Sequence, residues 1–319
     1  MNRGVEAEKF GRVITAMVTP FKRDEKQSLD TNEVVGLARH LADTGSESIV
    51  VSGTTGESPT LSSRERVMLL TTVLETVGDR IPVIAGTSTY NTEESVELSR
   101  DAERNGAHGL LLVTPYYNKP SPEGLYRHFS EIADAVSIPC ILYNVTSRTN
   151  VNMKPKTVFR LAETHENIVG LKEALGTSTN ENRLQIALLM EGKPEGFHVW
   201  SGNDQDTLYF LRNGGHGVVS VASHVVGNLI DKMVKHELVG QGEEAEKLND
   251  HLMPLFEALF PPTAPEPSPA SIKAILNLVG IPVGGLRLPV VEVSEEYKQT
   301  LQILIADYQI LTPSQKSPR

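Results

Sequence analysis

The chain has 319 residues, 39% hydrophobic and 22% charged, with 40 acidic against 30 basic side chains and a formal net charge of −10. That composition suits one large α/β barrel or two smaller domains, and an acidic balance without a basic stripe argues against nucleic acid as a partner. The lone cysteine, Cys140, excludes an internal disulfide and a thiolate metal cluster, and no apolar run approaches membrane-spanning length.

Residues 1–10 read as a polar tail without the apolar stretch of a targeting segment, so a cytoplasmic setting is expected. Strand patterns follow at 13–20, 48–52, 82–86, 109–115, 139–144, 168–173, 197–202 and 217–221. Helical patterns separate them at 31–43, 62–77, 92–105, 122–135, 155–164, 182–190 and 205–212, and helix resumes from 225. Ser62, with Glu65 three residues on, has the form of a capping box. Eight strand–helix alternations within residues 11–240 predict a (β/α)8 TIM barrel rather than an open doubly wound sheet. No G-x-G-x-x-G or P-loop follows the first strand, which weakens a nucleotide-binding reading. Beyond 240 the strands stop. Helical segments at 243–260, 271–279 and 294–308 form a C-terminal helical region over 241–310, with a stiff proline-rich connector at 261–269 and a tail at 311–319.

The stretch I-V-G-L-K-E-A at 168–174 carries the chemistry. It reads as a strand buried on both faces, and lysine is almost never fully buried without a partner. Lys172 therefore snorkels out of the strand end, pairs with Glu173, or is an amine held neutral to attack a carbonyl and form a Schiff base. Keeping a lysine neutral at pH 7 costs about 4–5 kcal/mol, so the third reading requires a purpose-built site. Barrel enzymes place their chemistry at the C-terminal ends of the strands. Those ends carry Thr54-Thr55-Gly56-Glu57, Tyr116-Tyr117-Asn118, Tyr143-Asn144, Lys172 and Gly202. Backbone N–H groups of a glycine-containing loop can hold a carboxylate, and hydroxyls can pass protons while a carbinolamine collapses to an imine. The nine histidines show no ligand spacing, so neither a metal nor a cofactor is expected.

The ordered motifs G-T-T-G-E-S-P-T-L, T-P-Y-Y-N-K-P, L-Y-N-V-x-x-R-T and G-L-K-E-A resemble the pyruvate-dependent Schiff-base lyases, within them the dihydrodipicolinate synthase branch, over nearly the whole chain. The resemblance implies condensation of pyruvate with L-aspartate 4-semialdehyde in a homodimer or homotetramer. It makes Lys172 the imine-forming residue and Tyr143 the acid/base above it, with Thr54 and a partner copy's Tyr117 completing a hydroxyl relay. It assigns pyruvate to Thr55 and the backbone of Val219, with Gly202 at the site's edge, and the second substrate's carboxylate to Arg148. Two positions depart from the family: Thr146 stands where proline is usual and Asn150 where glycine is usual, beside Arg148. A third departure is A-P-E-P-S-P in place of N-P-x-P before a C-terminal helix. N-acetylneuraminate lyase and 2-keto-3-deoxy sugar-acid aldolases share the lysine and tyrosine, and a non-catalytic carboxylate-binding barrel is the alternative outside enzymes. The resemblance also implies an inhibitory lysine pocket at Ser58, Arg66, Tyr90, Glu94 and Tyr116. Arg66 and Tyr90 replace the histidine and asparagine common in sensitive bacterial enzymes, so weak inhibition or none is expected.

Overall fold

The computed structural model describes residues 2–260, 268–308 and 310. The connector expected at 261–269 lies outside the described residues apart from Ser268 and Pro269, and the tail at 311–319 lies outside them entirely. A short helix, α1 (Arg3–Glu8), leads into β1 (Val13–Ala16), α2 (Thr31–Asp43), β2 (Ser48–Val51) and α3 (Ser63–Val77). Next come β3 (Val83–Gly86), α4 (Thr92–Arg104), β4 (Gly109–Val113), α5 (Pro122–Asp134) and β5 (Cys140–Asn144). A one-turn α6 (Thr146–Thr149) precedes α7 (Pro155–Thr164), β6 (Ile168–Glu173), α8 (Asn180–Gly192) and β7 (His198–Ser201). The run closes with α9 (Thr207–Arg212), β8 (Gly217–Ser220) and α10 (Ser223–Leu238), followed by α11 (Gly242–Leu259), α12 (Ser268–Leu278) and α13 (Glu295–Ile305).

The eight strands are parallel and close into a barrel in sequence order, with β1 hydrogen-bonded to both β2 and β8. The expected barrel is therefore the observed one. Its strands are buried on both faces because side chains alternate between two cores. Ile14, Val50, Ile84, Leu111, Ile141, Trp200 and Val219 fill the interior, while Val13, Ile49, Val83, Leu110, Leu142 and Val199 pack outward under the helices.

Local chemistry sets the helix starts. Ser62 and Glu65 form the reciprocal capping box, and Asp30, Asn91, Ser121 and Thr179 each accept a backbone N–H at the start of their helices. The opening residues differ from expectation. Instead of a polar tail they form α1, whose Ala7, together with Phe10, joins the barrel's interior core. Gly109 makes room for this plug, since a Cβ there would stand 2.4 Å from Phe10 Cζ.

Candidate active site

A single extra residue orients the lysine. Along β5 and β6, Cys140 pairs with Ile168 but Ile141 pairs with Gly170, so Val169 is a bulge. Strict alternation from an inward Val169 would turn Leu171 inward and Lys172 outward. The bulge reverses this: Leu171 packs in the outer core, and Lys172 faces the interior in register with Tyr143. Gly170 is required beneath Trp200, because a Cβ would lie 2.5 Å from both Trp200 Cζ3 and the His198 carbonyl oxygen. Lys172 is buried, its Nζ 4.3 Å from the centroid of the Tyr143 ring, and among the described residues it has no ion-pair or hydrogen-bond partner. Pairing with Glu173 is excluded by geometry. That side chain lies on the opposite face of the strand, its carboxylate accepting from Asn144 Nδ2 at 3.0 Å and the Leu175 N–H at 2.9 Å.

Lys172 opens into a cavity of about 270 Å³ lined also by Thr54, Thr55, Tyr143, Arg148, Gly202, Val221 and Phe260. A second cavity of about 230 Å³ shares Thr54, Tyr143, Val145 and Arg148 with it and extends to Ser58, Ser88 and Tyr116. The threonine loop after β2, the tyrosine of β5, the lysine of β6 and the glycine after β7 thus converge on one end of the barrel. Gly202 is tied to the Lys172 strand by its N–H to the Glu173 carbonyl at 2.7 Å, and a Cβ on it would stand 2.5 Å from that of Ala174. Val219 lies in the interior core, two residues before Val221 at the cavity wall.

Arg148 is exposed on α6 and borders both cavities. The two departing residues bound the turn: Thr146 begins α6, and Asn150 ends it at φ 54° and ψ 26°, a left-handed conformation that asparagine tolerates better than most residues. Tyr117 stands apart from its own chain's site. It is 91% exposed with φ +70°, a strained backbone for a bulky aromatic residue. Neighbouring Tyr116 packs edge-on against Tyr90 with ring centroids 5.3 Å apart, and Asn118 donates to the Tyr90 carbonyl at 3.0 Å. Arg66 donates to the Ser58 carbonyl at 2.7 Å, the Ser58 hydroxyl at 2.9 Å and the Gly86 carbonyl at 3.2 Å. Glu94 accepts from the Thr89 hydroxyl at 2.9 Å.

Three buried polar features escape sequence reasoning because their partners come from distant elements. Burial pushes the Glu173 carboxyl up to about 8, against the pull of its Asn144 hydrogen bond. Asp204, after β7, accepts the Val221 and Ala222 N–H groups at 3.0 Å each and the Ser220 hydroxyl, fixing the turn after β8. Burial raises its carboxyl while those hydrogen bonds and the nearby Lys172 charge lower it. Glu57, ending the threonine loop, pairs with Lys273 of α12 at 2.6 Å, both side chains 2% exposed. The acidic Glu57 that closes the G-T-T-G-E motif is the one legible signal among the three.

The dihydrodipicolinate synthetase family model matches residues 9–307. A 4-hydroxy-tetrahydrodipicolinate synthase of Symbiobacterium thermophilum is 49% identical over 302 residues, covering 95% of this chain and 99% of that one. A crystal structure of a dihydrodipicolinate synthase from Bacillus anthracis superposes with TM-score 0.87 at 42% identity, covering 93% of this chain and 98% of that chain. The enzyme from Cyanidioschyzon merolae with lysine bound gives the same TM-score, 0.87, also at 42% identity and with coverage of 93% and 98%.

Proposed function

Because the chain belongs to the dihydrodipicolinate synthetase family, we propose that the cavity around Lys172 is where it works as a 4-hydroxy-tetrahydrodipicolinate synthase. The chain is a lyase of lysine and diaminopimelate biosynthesis, condensing pyruvate with L-aspartate 4-semialdehyde. The observation that carries the site reading is the bulge-directed Lys172, an unpaired amine beside a phenol in a cavity it shares with Thr54, Thr55 and Arg148.

Lys172 Nζ attacks the keto carbon of pyruvate, and the Tyr143 hydroxyl passes a proton to the oxygen that leaves as water. The resulting imine is itself the electron sink. Loss of a methyl proton gives an enamine whose carbon adds to the aldehyde carbon of the second substrate. Thr54 and Tyr117 from a second copy extend the proton relay, and the outward, strained Tyr117 supports that exchange. The working unit is then a homodimer or a homotetramer. Thr55 and the Val219 backbone hold pyruvate, with Gly202 leaving room beside it. Arg148 at the mouth takes the semialdehyde carboxylate, as a planar guanidinium does well.

The second cavity, lined by Ser58 and Tyr116, is the candidate lysine pocket, with Arg66 bonded to Ser58, Tyr90 packed on Tyr116 and the Glu94 charge acting on Arg66 behind them. The commitment of Arg66 to Ser58 and Gly86 supports weak regulation there.

The test is reductive trapping. Borohydride added with pyruvate should place one pyruvate-derived mass on the peptide containing Lys172, and a coupled assay with both substrates should show turnover. Full labelling of a Lys172→Ala variant would overturn the assignment.

A further inference from the structure

At the end of the barrel opposite the active site, Glu8 of α1, His198 of β7 and His216 before β8 bring one carboxylate oxygen and two ring nitrogens together. All three atoms lie within 4.8 Å of one another. We propose that these three residues form a binding site for a divalent transition cation of the zinc class, pinning α1 to the base of the barrel.

Hydrogen-bond bookkeeping points this way. His198 Nδ1 lies 3.1 Å from the Gly196 carbonyl, which can only accept, so Nδ1 carries the proton. In the neutral ring Nε2 is then a bare lone pair, yet it faces Glu8 Oε2 at 2.9 Å, another acceptor. A cation between them resolves the conflict. A protonated His198 would resolve it as well, but would leave the second imidazole unexplained. His216 is 8% exposed, and its buried Nε2 has no hydrogen-bond partner among the described residues while pointing at the same Glu8 oxygen from 3.8 Å.

The geometry is close to what is needed. Tetrahedral zinc with bonds of about 2.0–2.1 Å separates its ligand atoms by about 3.3 Å, and the observed 2.9 and 3.8 Å bracket that value. The Glu8 side chain is 60% exposed and free to adjust, and solvent reaches the cluster past Gly4, Val5 and Lys9. Lys9, just beyond α1, is occupied by Glu6 at 2.8 Å, and Arg12 donates to the His216 carbonyl at 2.7 Å.

The experiment uses the full chain, freed of any histidine tag and stripped with chelator, titrated with zinc chloride by calorimetry and with cobalt by visible absorption. One ion per chain is expected, with a rise in Tm on zinc addition. Glu8→Gln and His198→Gln should each weaken binding at least about ten-fold while leaving the coupled assay unchanged. Glu8→Gln alters an exposed side chain and so keeps the test open if His198→Gln misfolds. No zinc uptake, or uptake undiminished in Glu8→Gln, would overturn the proposal and leave an ordinary ion pair.

Discussion

Lys273→Met tests how the helical region supports the threonine loop. The lysine ammonium sits 2.6 Å from Glu57 Oε1 and 2.7 Å from the Gly285 carbonyl, and 4.3 Å above the Phe21 ring centroid. Burial pulls it down to about 8 against the attraction of Glu57, which still leaves it charged at neutral pH. Methionine keeps the apolar stem but strands Glu57, whose remaining support is the Arg287 N–H at 2.9 Å. Breaking one side of a buried pair costs about 3–5 kcal/mol, most of it the uncompensated charge. Urea denaturation at neutral pH should show that loss. Adding Glu57→Gln to Lys273→Met should recover about 1–3 kcal/mol, since the two residues are directly coupled. Glu57 also closes the loop bearing Thr54 and Thr55, and holds φ +55° there. The pyruvate KM should therefore rise before kcat falls. A loss below about 1 kcal/mol, or no recovery in the double variant, would refute the view that this pair braces the loop.

Mixing inactive Tyr117→Phe and Lys172→Ala proteins should restore activity through hybrid dimers; no recovery after mass spectrometry confirms subunit exchange would count against a shared site. Arg148→Ala should weaken semialdehyde use ten- to hundred-fold, from a charge-assisted pair worth roughly 1.5–3 kcal/mol, while imine formation with pyruvate survives; equal loss of both would make Arg148 structural. Between its ordinary 4.5 and its raised value of about 8, native Glu173 keeps a proton that the unfolded chain releases. Its contribution is thus fully present below pH 4.5 and lost as pH rises through 8. Glu173→Gln should accordingly gain on the parent by roughly 4 kcal/mol between about pH 5 and pH 8, and a pH-independent difference in urea denaturation would contradict this. L-lysine titrated at fixed pyruvate should inhibit weakly or not at all; strong inhibition at sub-millimolar lysine would show that Arg66 and Tyr90 leave the pocket working.

The barrel was legible in the sequence because each strand and helix is specified within its own few residues. Apolar runs of four to six residues form β1 to β8, and local caps such as Ser62 with Glu65 start the helices. The residues at the strand ends followed from that order alone, since a parallel barrel must collect them on one face. The one-turn α6 has no periodicity to detect, and α1 buries only Ala7, with Phe10 following beyond its end, too little to make a pattern.

What the tertiary structure decided is the direction in which side chains point and what meets them. Residue-by-residue alternation turns Lys172 outward; pairing with β5 across the Val169 bulge turns it inward, and Glu173 with it to the opposite face. Glu57 found Lys273 across 216 residues, and Glu8 met His198 and His216 across comparable stretches of chain. Such meetings depend on closure of the barrel and docking of the helices around it, and local sequence spacing carries no trace of them.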